Sequence, residues 1–469
     1  MPSSLAFALD SMPLAKDFHW PIDYDSRLVG EALVRTLFSE SHASTKPAGN
    51  AAVTARPRDE GRTWHVSLDG DMRWSDGVPL RSAHARAAVD RILARPRSMA
   101  ARLLSADGTG PVRVVDDVTV EYRFRKPTAF APEILTLPQF APFRDAVNGK
   151  AVSLGGFEET ASAEGEIRLS RHSFGDRSGS GPEQLVFTKF SSHRDALDAY
   201  TAGSVDVTPA TGFTQDQLDE FSGCSRLVNR DVSMFGSLEF GGLATRFRES
   251  PDCRRALGGL LDRPGLVERV PGLLNPWWQR TDLWQTSRTA GENRPAESLT
   301  GLEISQLREA LHGERVIAYA DFPPNGEVVA GICEQVRSAT GVVITARPMT
   351  FPEYVRTAVS RKYDMLYTLT TADYPHAAAL LTPWHSKSAA GAQAGLGDPV
   401  LDRLMDTASA SLSAQEANLG WVRANDRWLE LMPRIPLVQV RANCLHSEAV
   451  LGLNLSTSGF FDFDQISVN

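Results

Sequence analysis

The order of apolar and polar positions predicts strands and helices along the whole chain. In the first third, apolar side chains alternate with small or polar ones in several short stretches and recur at helical spacing in two longer ones. Strands are therefore predicted at 4–9, at 63–68 and in two pieces within 112–124, and helices at 24–38 and 82–93. The polar residues 41–60 are expected to form a loop.

From about residue 165 the pattern becomes a regular succession of strand and helix. Short apolar runs predict strands at 167–170, 185–190, 205–208, 316–320, 342–347, 365–370 and 434–440. Amphipathic segments predict helices at 192–202, 250–261, 299–311, 326–340, 351–359 and 414–431. Because strands and helices alternate, we expect an α/β fold in which helices flank both faces of largely parallel sheets.

Composition narrows the class of protein. The chain has 469 residues, of which 42% are hydrophobic and 23% charged, enough for two to four domains or one two-lobed body. The net charge of −8 argues against nucleic acid as the main partner, because nucleic-acid-binding proteins usually carry a basic face. No stretch approaches the roughly 18 apolar residues of a membrane span. Arginine far outnumbers lysine, which we interpret as GC-rich coding of the actinobacterial kind.

Motifs for metal binding and catalysis are missing from the sequence. Cys224, Cys253, Cys333 and Cys444 form no Cys-x-x-Cys pair and have no clustered histidines, so we expect no metal site and no cofactor. They could form two disulfides outside the cell, although four free buried thiols are the preferred interpretation. The sequence also lacks a nucleophile elbow, a Walker A motif and a dinucleotide fingerprint. Motifs therefore give no support for an enzyme.

Several segments, taken in order, carry a family resemblance. Residues 61–80 include Trp74-Ser75-Asp76-Gly77 and then Pro79-Leu80, which is similar to a "WsDGtPl" hairpin. Further matching segments are 115–120, 196–206, 250–262, 363–375 and 428–438. This ordered set resembles the large peptide- and nickel-type (family 5) solute-binding proteins of ABC importers, which include oligopeptide- and dipeptide-binding proteins.

The resemblance implies two lobes joined by a hinge, with a small-molecule or peptide-like ligand enclosed between them. The first lobe would comprise 1–243 with an inserted subdomain at about 41–164, and it would be completed by 446–469. The second lobe would comprise 244–445. An ABC permease is then a candidate partner, and we expect the protein to be a monomer.

The amino terminus leaves two alternatives for where the protein works. A secretory signal would show basic residues and then an apolar run of about 7–15 residues, and residues 1–10 do not have this pattern. One alternative is an extracytoplasmic protein, membrane-anchored or secreted, whose signal has been removed. The other is a cytoplasmic enzyme or accessory protein of small-molecule biosynthesis, whose closed cleft steers a reaction such as a cyclisation.

Asp373 is the leading candidate for a ligand-binding residue. It follows the predicted strand 365–370, at the carboxyl end where open α/β sheets place ligands, and Thr371 lies in the same segment. The resemblance implies that the matching Asp pairs with the α-ammonium of a ligand. A charge-assisted hydrogen bond of this kind contributes more in a desolvated cleft than at the surface. The alternative is a solvated loop acid or a helix cap.

Aromatic residues in predicted loops are further candidates for the walls of a ligand site. They are Tyr374 and Trp384 near Asp373, Trp277 and Trp278 in a proline-containing segment, His19 and Trp20 after the first strand, and Phe157. Packing within their own lobe is the alternative for each of them, and for Phe157 it is the preferred one. The tryptophans on periodic positions, Trp64, Trp74, Trp421 and Trp428, are assigned to packing.

Overall fold

The structure, a computed structural model, describes residues 3–40, 46–105, 110–175, 181–277, 299–388, 391 and 397–469. Three main sheets are formed by these residues. We call them the amino-terminal sheet, the inserted sheet and the large sheet. Helices cover them, and the combination confirms the predicted α/β class, with sheets that are mixed rather than largely parallel.

The amino-terminal sheet contains the first strand of the chain. Its strands are, in spatial order, Ser4–Leu9, Gln184–Lys189, Glu166–Arg171 and Phe157–Ala163. The first pair is parallel and the other pairs are antiparallel. Phe7 is buried and its ring lies 5.4 Å from that of Phe187 and 5.4 Å from that of Phe463. The carboxyl-terminal tail therefore completes the core of the amino-terminal sheet.

The helix on this sheet is shorter than the predicted 24–38. It spans Tyr24–Leu33, and Val34 already has extended dihedral angles. The Leu33 carbonyl accepts hydrogen bonds from Ser153 Oγ at 2.6 Å and from Gly155 N at 3.0 Å. A Cβ atom on Gly155 would lie 2.3 Å from the Ala32 carbonyl oxygen, so only glycine permits this close approach. The segment around Ser153 and Gly155, distant in sequence, thus supplies hydrogen-bond donors to a carbonyl group at the end of the helix.

The inserted sheet shows that the predicted loop at 41–60 is wrong. Its antiparallel strands are, in spatial order, Ala52–Arg58, Thr63–Leu68, Thr119–Arg123 and Val112–Val114. Ala52–Arg58 is an edge strand with mostly accessible side chains, so its polar sequence resembles a loop while its backbone pairs with Thr63–Leu68. The helices of this region are Ser82–Leu93, Met99–Leu103 and Ala131–Ile134.

The large sheet is mainly antiparallel, contrary to expectation. Its strands are, in spatial order, Leu274–Pro276, Ile435–Leu445, Leu227–Phe240, Met365–Thr371, Arg315–Ala320 and Ile344–Met349. Only the last three strands pair in parallel. The 14-residue strand Leu227–Phe240 was not predicted from the sequence. Its register shifts near Asp231 and again after Gly236, and these irregularities interrupt the two-residue alternation.

The remaining helices agree with the predicted ones to within two residues wherever a helix was predicted. They are His193–Thr201, Gln215–Glu220, Thr245–Glu249, Pro251–Leu260, Arg263–Val267, Gly301–Ala310, Asn325–Thr340, Phe351–Ser360, Ala378–Leu381, Pro399–Ala410 and Ala414–Leu431, with 3₁₀ turns at Asp59–Gly61, Pro138–Phe140 and Thr382–Trp384. Two-residue strands pair Phe38–Ser39 with Ala48–Gly49, and Val450–Leu451 with Ser467–Val468. The strand predicted at 205–208 is reduced to isolated bridges at Val207, because the chain there crosses between Phe7 and His446.

Two expectations from the sequence concern the cysteines, for which free thiols were preferred, and membrane spans, of which none was predicted. The four cysteines are free thiols; Cys444 is buried and the other three are half-buried. Within the described ranges, no helix is both long enough and apolar enough to cross a bilayer.

Candidate functional site

Asp373 lies in the turn that directly follows Met365–Thr371. Thr371 ends this strand opposite Met234, and the next backbone N–H, of Ala372, donates to Ser233 O at 2.9 Å. The Asp373 side chain is accessible, yet protein atoms surround it closely enough that desolvation raises the pKa of its carboxyl group. The guanidinium group of Arg27 acts in the opposite direction and lowers that pKa. Asp373 is therefore a reachable but poorly solvated carboxyl group.

Arg27 reaches this site from the helix Tyr24–Leu33 of the amino-terminal sheet. It forms a hydrogen-bonded ion pair with Glu31 one turn further along the helix. Its guanidinium carbon lies 5.3 Å from the ring centroid of Phe460. The helix Tyr24–Leu33 beside the amino-terminal sheet and the turn after Met365–Thr371 of the large sheet thus contribute opposite charges to the same site.

Further carboxyl groups lie near Glu31, the partner of Arg27. Burial raises the pKa of Glu31 in spite of its ion pair with Arg27, and Glu40 and Asp462 raise that pKa further. Glu40 accepts hydrogen bonds from Thr457 Oγ1 at 2.7 Å and from Ser458 N at 3.0 Å. We call Arg27, Glu31, Glu40, Asp373 and Asp462 the acidic site. It sets four carboxyl groups against one guanidinium group.

Backbone contacts hold the parts of the acidic site together. The Ser233 carbonyl accepts a hydrogen bond from Ala372 N at the start of the Asp373 turn. The Ser233 N–H donates to Thr457 O at 2.6 Å. Tyr24 donates its hydroxyl hydrogen to Gly459 O at 2.6 Å, and its ring stacks on Phe460 at 5.0 Å. The large sheet, the tail and the first helix are therefore tied together beside Asp373.

Tyr374 and His376 follow Asp373 but pack in the opposite direction. The His376 ring stacks on Phe130 of the inserted region, with 4.2 Å between the ring centroids, and meets Trp421 edge-on at 5.5 Å. Tyr374 is buried, with its ring 6.0 Å from Phe130 and nearly parallel to it. We call Phe130, Tyr374, His376 and Trp421 the aromatic junction. Burial lowers the pKa of His376 to about 3, so this imidazole is neutral near pH 7.

Trp384 and Trp277 are also buried in the core around the large sheet. Trp384, in a 3₁₀ turn rather than the predicted loop, meets Trp428 edge-on at 6.1 Å. Trp277 stacks on Phe235 at 4.2 Å, and its Nε1 has no hydrogen-bond partner in the part of the chain that the structure describes. Trp278 lies outside the described residues.

His19, Trp20 and Phe157 have contacts elsewhere. His19 Nε2 lies 3.2 Å from Pro142 O, and burial lowers the pKa of this imidazole to about 4. The guanidinium carbon of Arg95 lies 4.2 Å from the Trp20 ring centroid. Phe157 is fully buried at the start of its strand in the amino-terminal sheet. The first two residues thus contact the inserted region, and Phe157 belongs to the amino-terminal core.

The sequence interpretation missed Arg27, Glu31 and Glu40. Arg27 and Glu31 do leave a local signal, because two opposite charges at helical spacing interrupt a helix whose neighbouring positions, Leu28 and Val29, are buried. Glu40 leaves none, since its hydrogen-bond partners lie more than 400 residues away in the tail.

The acidic site suits an organic cation better than a metal ion. No group of three or more His, Cys, Asp or Glu side chains with metal-binding geometry occurs among the residues that the structure describes. The carboxyl groups are instead held by hydroxyl, amide and guanidinium donors. An ammonium group that donates several hydrogen bonds fits such a surface.

Solved structures with the same fold include binding proteins with different ligands. The murein tripeptide binding protein MppA of Escherichia coli aligns with a TM-score of 0.80 and 15% identity, over 100% of this chain and 98% of that chain. Haemophilus influenzae OppA, in complex with RPPGFSPFR, gives 0.80 and 16% over 100% and 99%. AgaA from A. tumefaciens R10, in complex with agropinic acid, gives 0.80 and 17% over 99% of each chain.

The family follows from the sequence itself. No curated protein matches the chain. Residues 46–392 nevertheless match the model of the bacterial extracellular solute-binding proteins, family 5, middle part, which covers well over half of the chain. Together with the two-lobed α/β fold shared with these structures, the match confirms the predicted family. The chain belongs to family 5 of the bacterial extracellular solute-binding proteins.

Proposed function

We propose that this solute-binding protein captures a peptide-like or amine-bearing solute between its two lobes and delivers it to an ABC permease. The observation that carries the ligand class is the acidic site, where Arg27 acts on both Glu31 and Asp373 while Glu40 and Asp462 add negative charge near Glu31. An ammonium group at Asp373 would form charge-assisted hydrogen bonds in a poorly solvated place, where they contribute more than at an open surface.

The raised pKa of Asp373 supports the same assignment. A carboxylate that has lost part of its hydration is stabilised when a cation replaces the missing water, so binding of an ammonium group would lower this pKa again. Arg27 supplies only part of that compensation, because it already pairs with Glu31. The site is therefore prepared for one further positive charge.

The lobe boundaries belong to the proposal. We assign 1–243 and 446–469 to the first lobe, which agrees with the packing of Phe463 on Phe7. Residues 244–445 form the second lobe. The inserted subdomain, at about 41–164, shares an apolar core with the second lobe through the aromatic junction. This core therefore contains side chains of both proposed lobes.

The cellular context follows from the family. Family 5 proteins work outside the cytoplasm, which supports an extracytoplasmic location. We propose that the protein is anchored or secreted there and acts as a monomer. The alternative of a cytoplasmic biosynthetic enzyme is not favoured by the family match.

Native mass spectrometry followed by calorimetry would test the ligand class. The protein would be equilibrated with a mixture of di- to tetrapeptides, and the retained peptide would be identified. Calorimetry would then compare this peptide with its N-acetylated form. We expect acetylation to weaken binding at least tenfold, because it removes the ammonium group. Equal affinity of the two forms would contradict the proposal, and retention of no peptide would exclude its peptide-like ligand.

Replacement of Asp373 would locate the ammonium group. We expect Asp373→Asn to weaken binding of the retained peptide about 10- to 100-fold, as for loss of a charge-assisted hydrogen bond. The exposed Asp71→Asn serves as the matched control, because it removes the same charge from a surface turn of the inserted region. If both variants bind the peptide as the parent does, Asp373 is not the ammonium partner.

A further inference from the structure

A cavity lies against the large sheet, and its lining does not include the residues of the acidic site. Its volume is about 230 Å³. Its lining includes Glu239, Arg248, Arg361, Thr370, Trp384 and Arg434. None of the acidic-site residues lines it, and its lining comes only from elements on the large sheet and its helices.

The strand register shows how the cavity lies relative to the acidic site. Phe240 pairs with Met365 at one end of the neighbouring strand, and Met234 pairs with Thr371 at the other end. Glu239 and Phe240 of the cavity lie at the first end, about 20 Å of extended strand away from the turn that carries Asp373. Thr370, which also lines the cavity, lies three residues before Asp373, so the cavity extends along this strand towards the acidic site without including any of its residues.

Arg434 gives this cavity a buried positive charge with a free donor. The residue is 3% exposed. Its Nη1 donates to Thr370 Oγ1 at 3.0 Å and lies 3.9 Å from Glu239 Oε1, too far for a hydrogen bond. Its Nε is buried and has no hydrogen-bond partner among the described residues. The Trp384 ring, 5.5 Å away, offsets part of the cost of burying this charge but does not accept the Nε hydrogen as a carboxylate would.

The other arginines differ in how many of their donors are occupied. Arg254 donates to the backbone carbonyls of Phe247, Leu431 and Met432, so it is structural. Arg361 donates to Phe240 O at 3.2 Å. Arg248 is exposed at the edge of the cavity, which leaves its guanidinium group accessible from solvent. Four arginines against the single Glu239 give the lining an excess of positive charge.

We propose that this cavity is a second ligand site, which binds a small monocarboxylate with an apolar body. The carboxylate accepts hydrogen bonds from Arg434 and Arg248, because a planar guanidinium group matches carboxylate geometry. The apolar body lies against Trp384, Leu380 and Phe240, which line the same cavity. Inorganic anions lack such a body and leave this apolar wall unused.

Titration calorimetry with benzoate tests the site, with benzamide as the neutral analogue of the same shape and inorganic phosphate as the anion without an apolar body. We expect benzoate to bind at least tenfold more tightly than either. Arg434→Gln should weaken benzoate binding at least tenfold, and Arg248→Ala severalfold, whereas the exposed Arg86→Gln should have no effect. The affinity for an amine ligand at the acidic site should be the same in Arg434→Gln as in the parent, which separates this proposal from the proposed function.

A second variant covers the case in which Arg434→Gln does not fold. Ala379 lines the cavity from the helix Ala378–Leu381, so Ala379→Leu fills space without removing a charge. We expect it to abolish benzoate binding while circular dichroism remains that of the parent. Equal binding of benzoate and benzamide, tighter binding of phosphate, or benzoate affinity that survives Arg248→Ala and Ala379→Leu would each overturn the proposal.

Discussion

The acidic site and the aromatic junction begin one residue apart and have opposite character. Asp373 is accessible and lies near the guanidinium group of Arg27, whereas Tyr374 is 2% exposed and lies against Phe130. Their side chains leave the same turn towards different neighbours, so one turn serves two surfaces. The acidic site consists of charges whose desolvation opposes folding, and the aromatic junction consists of rings whose burial stabilises it.

This difference separates binding from stability within a single turn. The aromatic junction joins the inserted region to the helix Ala414–Leu431, and buried rings of this size contribute several kcal/mol each. It can therefore hold the Asp373 turn in place against the cost of assembling like charges beside it. Substitutions in the aromatic junction should therefore affect stability, and substitutions in the acidic site should affect ligand binding.

The largest effect is expected from Phe130→Ala at the aromatic junction. Phe130 contacts three of its rings, His376, Tyr374 and Trp421, so its removal leaves a cavity between two regions of the chain. We expect the free energy of unfolding to fall by about 3–4 kcal/mol. Urea denaturation followed by tryptophan fluorescence would measure it.

The exposed Phe322→Ala is the matched control, because Phe322 is 50% exposed and its truncation should change stability by less than about 1 kcal/mol. The folded Phe130→Ala protein should still bind an amine ligand within about threefold of the parent. A parallel loss of affinity and stability would show that the acidic site and the aromatic junction do not act separately.

A smaller effect is expected from the neutral histidine of the aromatic junction. The pKa of His376 is about 3 in the folded protein and 6.5 in the unfolded chain, so the unfolded state binds more protons between these values. Its contribution to stability is complete above pH 6.5 and is lost as the pH falls towards 3. His376→Phe keeps the stack on Phe130 and removes this titration. Between pH 7.5 and pH 5 the variant should lose roughly 1–2 kcal/mol less stability than the parent.

The comparison uses the pH slope rather than the absolute stability, since the variant also loses the hydrogen bond from Ala378 N to His376 Nδ1. Glu133, which acts on Tyr374, has a pKa raised by burial to about 7. Its effect on the pH slope of stability has the opposite sign to that of His376. This effect is present in both the parent and His376→Phe, so it cancels in the comparison. The exposed His312→Gln is the control. Identical slopes for the parent and His376→Phe would mean that His376 is not kept neutral by burial.

The sequence predicted the position of Asp373 but not its surroundings. The apolar run that ends at Thr371 shows where the strand stops, and the acid after it is then at a strand end. Whether Tyr374 faces a cleft or a core is not encoded locally, because alternation defines two faces without saying what covers each one. The partners of Glu40 are brought together only by the complete fold. The strand Leu227–Phe240 was missed for a related reason, because its bulges break the period that identifies strands.

The smallest effect, and the most specific to the acidic site, is expected from Arg27→Gln. Arg27 lowers the pKa of Asp373, and an amine ligand needs the ionised carboxylate, so binding weakens as the pH falls through that pKa. Without Arg27 the pKa of Asp373 rises, and the pH at which amine affinity is halved should move upward by less than about one unit. At pH 8 the affinity should change less than about threefold. Calorimetry of amine binding from pH 5 to pH 8 would measure the shift, with Arg86→Gln as the control. A midpoint that stays in place, or moves to lower pH, would show that Arg27 does not act on the carboxylate that binds the amine.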